Sequence, residues 1–284
     1  MTRGPRATTF AGMDEIRIER EHVFEDVDNS GVAPQLVAYL ESVAARPEVV
    51  ELHDRATALL QPRPGERVLE VGCGLGADAR ELARAVAPTG SVTAVDVSEA
   101  MLNAARERHD AALDVTYERA DVCDLPYDDA SFDVIRIERV LQHVHELDRA
   151  CAEMARVLKP GGRLLVLDTD WHSLVTDIGD DELSGRVLAH STGRMIQPRA
   201  ARRLRALLAG AGLTTAAIHG YAFAYASADD AKVLLPMFND EIPQQANFVP
   251  AADREQWFAA IRKADENGAF MAGWTAYYAL AHKP

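Results

Sequence analysis

The stretch Arg67–Asp78, RVLEVGCGLGAD, constrains the fold more than any other part of this chain. Val68, Leu69 and Val71 form a short apolar run behind the turn signal Pro64-Gly65, which predicts a buried strand. Gly72, Gly74 and Gly76 follow at alternate positions. Glycine there lets the backbone turn with positive φ and lets a ligand approach bare peptide. Asp78–Val86 then predicts a helix with Leu82, Ala83 and Val86 on one stripe. Strand, glycine turn and helix open a doubly wound α/β fold, whose ligands lie above the carboxyl ends of the strands.

Two ligands compete for that turn. Gly72, Gly74 and Ala77 fit the loose dinucleotide pattern G-x-G-x-x-G/A, and Asp96 follows at the spacing of a ribose acid. Glu70 separates the two. A carboxylate just before the first glycine repels a pyrophosphate and attracts an ammonium group, and S-adenosylmethionine has an ammonium and a sulfonium but no phosphate. Here the sequence resembles the class I S-adenosylmethionine-dependent methyltransferases. Their first motif, acid-x-Gly-x-Gly-x-Gly, stands as Glu70-Val71-Gly72-Cys73-Gly74-Leu75-Gly76. Asp96, the segment Leu125-Pro126 to Phe132-Asp133, and Arg156-Val157-Leu158-Lys159-Pro160-Gly161-Gly162-Arg163 match further motifs in the same order. The resemblance covers about Arg63 to Asp168. Its nearest flavour is the ubiquinone/menaquinone-biosynthesis-like group, which also holds many enzymes that methylate natural products. It implies a Rossmann-like, seven-stranded, mostly parallel sheet with N-terminal helices and a helical lid.

At 284 residues the chain suits one large domain, or a domain with an appended lid. Its net charge of −14 argues against nucleic acid and against anionic lipid, since both need a positive surface. Cys73, Cys123 and Cys151 are odd in number and lack C-x-x-C spacing, so neither disulfides nor a zinc cluster is expected. Reduced thiols fit a cytoplasmic protein. Met1–Arg20 has no apolar signal-peptide core, and no stretch suits a membrane span.

Residues 1–62 read as an N-terminal arm and two helices over the site, and 63–284 as the methyltransferase domain. The arm, to about Gly31, is polar; it is either disordered or a flap. The helices are Pro34–Ala44 and Val49–Leu60. Arg55 in the second is either a solvated helix arginine or a partner for the cofactor's carboxylate. Val92–Val95 predicts the second strand, and Asp96 at its end is placed to accept both ribose hydroxyls. Ser98 caps the next helix, and Val97 and Met101 are placed to sandwich an adenine. After a third strand at Leu113–Glu118, the resemblance gives Asp121 the adenine amino group and the Val122 backbone a ring nitrogen. Ser131–Ile137 predicts the fourth strand, beyond which Glu138, Arg139 and His143 stand where active sites of open sheets lie. Glu138 is counted with the cofactor. His143 is the candidate proton acceptor, with a purely structural role as the alternative. His143, His145, Glu146 and Asp148 are neighbours in sequence only, so no metal is expected.

Arg163–Asp168 predicts the fifth strand. The segment 171–198 is expected to cover the site rather than extend the sheet. Arg199–Ala211 predicts a helix with Leu204, Leu207 and Leu208 inward. Leu213–Tyr225 predicts a sixth strand, 228–268 a helical insertion completing an acceptor lid, and Phe270–Ala281 a last strand, antiparallel between the fifth and sixth. The expected function is methyl transfer from S-adenosylmethionine to a small, largely apolar acceptor. A nicotinamide-dependent oxidoreductase and a cofactor-retaining protein that does not methylate are the alternatives. Oligomeric state stays open, a homodimer included.

Overall fold

The computed structural model describes Phe24 and residues 26–242 and 244–284. The part of the expected N-terminal arm at 1–23 and 25 lies outside the described residues. Seven strands form one sheet in the order β3-β2-β1-β4-β5-β7-β6. They are β1 (Arg67–Val71), β2 (Ser91–Asp96), β3 (Val115–Arg119), β4 (Phe132–Glu138), β5 (Leu158–Asp177), β6 (Thr214–Tyr225) and β7 (Met271–His282). β1 to β5 pair in parallel, and β7 enters antiparallel between β5 and β6. The expected doubly wound sheet and its last-strand insertion are therefore present.

Helices cover both faces, which is why β1, β4 and β5 read as near-continuous apolar runs. On one face, Val68, Val134 and Leu165 pack against α2 (Pro47–Leu60), α3 (Ala77–Val86), α6 (Asp181–Gly193), α8 (Ala228–Leu234) and α9 (Arg254–Glu266). On the other, Leu69, Ile135 and Leu164 meet α5 (Leu147–Val157) and α7 (Ala200–Gly210). In α7, Leu204, Leu207 and Leu208 are buried as the periodicity predicts. Fully burying each such side chain stabilises the fold by about 1.5–3 kcal/mol. Trp257 of α9 is wholly buried, and its indole N–H donates to the Met237 carbonyl at 2.7 Å.

α1 (Ala33–Ala44) and α4 (Glu99–Glu107) complete the frame near the ligand end. Ser98 caps α4 as predicted, its hydroxyl accepting from the Met101 N–H. The chain just before α1 joins the same helix start. Asp28 accepts from the Ser98 hydroxyl at 2.6 Å and from the N–H groups of Glu99 and Ala100 at 2.9 and 3.0 Å. Two backbone N–H groups and one hydroxyl donating to a single carboxylate suit the positive end of a helix.

One expectation needs correction. The segment after the fifth strand does extend the sheet: Val175, Thr176 and Asp177 pair with Gly273, Ala272 and Met271. An irregularity between Asp170 and Val175 lets the strand resume beyond a bend. β-Branched Val175 and Thr176 favour that pairing, and the segment then continues into α6, whose Leu183 and Val187 join the core. The later insertion, 228–268, is helical at both ends as expected.

Glycine is required in the β1–α3 turn for two reasons. Gly72 has φ +70°, and a Cβ there would lie 2.1 Å from the Val140 Cγ2. We predict that Gly72→Ala destabilises the protein by at least about 2 kcal/mol, from strained φ and overpacking together. Urea unfolding measures it, and adding Val140→Ala should recover the packing part only. A Gly72→Ala protein as stable as wild type would refute the account.

Candidate functional site

The glycine turn is stitched to β2. The N–H groups of Gly72 and Cys73 donate to the Val95 carbonyl at 2.8 and 2.9 Å. The Asp96 carboxylate accepts from the Gly74 N–H at 2.9 Å and the Ser98 N–H at 3.0 Å. Burial raises the Asp96 pKa, and those amides oppose it. Val97 is exposed beside it, whereas Met101 is buried in α4. Asp121 lies in an exposed turn and accepts from the Cys123 N–H at 2.8 Å, with Val122 buried next to it.

Below the turn lies a buried ring of alternating charges. Arg136, in β4, is wholly buried and directly opposite Glu70 of β1 in register. Its Nη1 lies 3.0 Å from Glu70 Oε1 and 2.9 Å from Asp78 Oδ2, and its Nη2 lies 2.5 Å from Glu138 Oε2. His53 of α2 closes the ring, with Nε2 2.6 Å from Glu138 Oε1 and Nδ1 3.3 Å from Asp78 Oδ1. Burial pushes the Glu70 carboxyl up to about 8, against the pull of Arg136. Burial works the same way on Glu138, yet His53 and Arg136 overcome it and hold the group at about 2. Burial lowers the His53 pKa, but Glu138 and Asp78 outweigh it and raise the imidazole to about 10. His53, Asp78 and Glu138 offer ligand-type atoms within 4.8 Å of one another. Each carboxylate, however, already holds the Arg136 guanidinium and an imidazole nitrogen, which is a poor setting for a further cation.

Beside this ring, a small cavity of about 10 Å³, room for about one water, lies at the carboxyl ends of β4 and β5. Val49 and Leu52 of α2, Leu234 of α8 and Leu167 give it aliphatic walls, and Phe223 and Trp274 an aromatic one. The last two rings stack at 4.0 Å with planes 6° apart. Glu138, Arg139 and Thr169 supply the polar margin. Arg139 has φ +53°, a costly conformation of about 1–3 kcal/mol for such a residue. Its N–H donates to the Leu167 carbonyl at 2.8 Å, and its own carbonyl accepts from Gln142 Nε2 at 3.1 Å. Gln142 is in turn held by Asp168 and by the Trp171 indole.

The structure thus gathers Glu70, Gly72, Gly74, Asp96, Val97, Met101 and Glu138 around the glycine turn and its two neighbouring strand ends. His143 ends a 3-10 turn after β4, and its ring packs 5.4 Å from that of Phe24. Arg55 is placed elsewhere, which corrects the idea that it reaches the cofactor's carboxylate. It pairs with Glu51 at 2.6 Å and lies over Tyr221 of the edge strand β6. The α2 residue facing the site is His53, two positions earlier and therefore about 200° around the helix. The sequence reading missed His53, Asp78 and Arg136. One signal was available: an arginine between Ile135 and Ile137 in a central strand must be paired.

A model of a methyltransferase domain matches residues 69–166. An uncharacterised 37.1 kDa protein in transposon TN4556 of Streptomyces fradiae is 34% identical over 87% of this chain and 71% of its own. The ubiquinone/menaquinone biosynthesis C-methyltransferase UbiE of Bordetella avium is 34% identical over 59% of this chain and 77% of its own. Some other UbiE relatives are spanned for somewhat less than two thirds of their length. Among solved structures, the cyclase SpnF superposes with a TM-score of 0.58 at 24% identity, covering 93% of this chain and 96% of that one. The chain belongs to the class I S-adenosylmethionine-dependent methyltransferases, in the UbiE-like group. Its cofactor is S-adenosylmethionine.

The charge ring makes stability depend on pH. An imidazole at about 10 in the folded chain and 6.5 unfolded contributes stability that is complete below pH 6.5 and lost as pH rises towards 10. Glu70, at about 8 against 4.5, loses its contribution in the same direction between those values. We predict that denaturant midpoints fall from pH 7 to 10, and that His53→Gln removes most of the fall above pH 8. Equal slopes in both proteins would refute the assignment of that window to His53.

Proposed function

We propose that the protein transfers a methyl group from S-adenosylmethionine to a small, largely apolar acceptor, by O- or C-methylation. A secondary metabolite or quinone-like compound, methylated in the cytoplasm, suits this reading. The observation that carries it is the aliphatic and aromatic lining of the small cavity beside the charge ring, at the carboxyl ends of β4 and β5, with Glu138, Arg139 and Thr169 at its polar margin. The residues present fit the cofactor. Glu70 Oε2 is buried with no hydrogen-bond partner among the described residues, as suits a site for an ammonium group reached directly, through the loop or through water. Asp96 would take the ribose hydroxyls, Val97 and Met101 the adenine faces, and Asp121 and Val122 the adenine edge. Gly72 and Gly74 would give close backbone approach.

Bound there, S-adenosylmethionine supplies an electrophilic methyl on a sulfonium, opened by in-line displacement. The chain's part is to hold the acceptor in line and keep water out. His143 is the proposed proton acceptor for an acceptor that must lose a proton. The neighbour named a cyclase gives the rival reading of a cofactor-retaining protein without methyl transfer. Methylation of any acceptor in a product assay decides against it.

Isothermal titration should give heat with S-adenosylhomocysteine and none with NAD; the reverse result would favour the oxidoreductase. Asp96→Ala should weaken S-adenosylhomocysteine about tenfold or more, because charge-assisted hydrogen bonds are each worth about 1.5–3 kcal/mol. Unchanged affinity in a folded variant would remove its ribose role. The pH–rate profile of wild type should show an acidic limb near about 6.5 that His143→Ala abolishes. A limb that survives would assign the base elsewhere.

A further inference from the structure

The segment 26–44 crosses the ligand end of the sheet and is fastened near both of its ends to one helix, α4. Near its start, Asp28 holds the first turn of α4 through the Ser98 hydroxyl and the N–H groups of Glu99 and Ala100. Near its end, Glu41 Oε1 accepts from Arg108, the residue that closes α4, at 3.1 Å from Nε and 2.6 Å from Nη2. Between these points the segment lies over the glycine turn: Leu40 Cδ1 comes within 3.8 Å of where a Cβ on Gly74 would stand. Tyr39 packs against Phe24, whose ring in turn meets His143, so the same body reaches the turn after β4. Little of it is buried. Within α1, Val43 is covered, whereas Leu36, Val37, Tyr39 and Leu40 stay half-buried. Asp28 is exposed, and so is about half of the Glu41 side chain (52%). Few buried apolar contacts and solvent-facing polar links make an element that opens locally at low free energy.

Resting on the proposed placement of S-adenosylmethionine at the glycine turn, we infer that the segment 26–44 is a gate over the cofactor, held shut by the Asp28 and Glu41 latches. The anchor of the gate and the floor of the cofactor site are then one element, since Asp96 and Val97 lead into α4 and Met101 lies in it. Both partners of each latch belong to the chain, so the gate shuts with or without a ligand beneath it. Opening therefore precedes both entry and exit of the cofactor. Weakening a latch raises the open fraction and speeds the two steps together, whereas a residue that only shored up the bound complex would change exit alone. Asp28 makes three charge-assisted hydrogen bonds and Glu41 an exposed ion pair, so the Asp28 latch is the stronger.

The test uses the full chain and surface plasmon resonance with S-adenosylhomocysteine, which yields both rate constants. Asp28→Ala should raise association and dissociation about tenfold each, and Glu41→Gln about two- to fivefold each. The dissociation constant should move by less than about threefold in either variant, because the free and the bound closed states lose the same latch. The double variant should show the product of the two factors, since separate latches hold one body. Glu41→Gln leaves every buried side chain in place, so it carries the test on its own where Asp28→Ala disturbs the fold. Dissociation that rises alone, with association unchanged or slower, would overturn the gate, as would unchanged rates in both variants. Asp96→Ala separates this from the placement of the cofactor. Weakened binding there, with unchanged rates in the latch variants, refutes the gate alone; full affinity there removes the cofactor from the glycine turn and the gate with it.

Discussion

The wholly buried guanidinium of Arg136 is the constraint on which the ligand end of the molecule depends. A lone charge at that depth is strongly unfavourable, so its partners must be present and correctly placed. They come from three elements: Glu70 from β1, Glu138 from β4 itself, and Asp78 from the start of α3. Satisfying one side chain therefore fixes the strand pair, the helix after the glycine turn and the end of β4 together. Removing Arg136 would strand carboxyl groups, and removing a carboxylate would strand the arginine. A network of this kind is weak evidence for net stability, but it leaves few alternative arrangements.

The ring also explains why α2 sits where it does. Apolar contacts of Leu52, Ala56 and Leu60 bring the helix to the sheet without fixing its rotation closely. His53 sets that rotation, because both ring nitrogens meet carboxylates anchored on other elements. Val49 and Leu52 then become walls of the cavity. The electrostatics of the charge ring and the shape of the cavity beside it are thus one structural problem, solved on a single helix.

Much of this was legible from the sequence, for definite reasons. Strand cores such as Val68-Leu69 and Val134-Ile135 are apolar on both faces, so their burial follows from composition alone. The glycine turn reveals itself because no other residue tolerates its backbone, and Asp96 because its spacing from that turn is fixed by one helix and one strand. His53 and Arg55 could not be ranked from sequence: both are polar residues on one helix, and which one faces inward depends on partners 25 to 85 positions away. The bend at Asp170–Val175 was likewise invisible, since it needs β7, about 100 residues later, as its pairing surface.

The division between legible and illegible follows the kind of atom that makes each contact. The glycine turn and its surroundings are built on backbone: positive-φ glycines, strand ends and helix starts, which local sequence encodes in a few consecutive positions. The small cavity beside the charge ring is built on side chains from α2, β4, β5, β6, β7 and α8, each contributing one or two residues with no shared motif. Arg139 stands at the border. Its position is a backbone matter, set by the turn after β4, while its Nε is a side-chain matter, paired with Glu138 Oε1 at 3.1 Å.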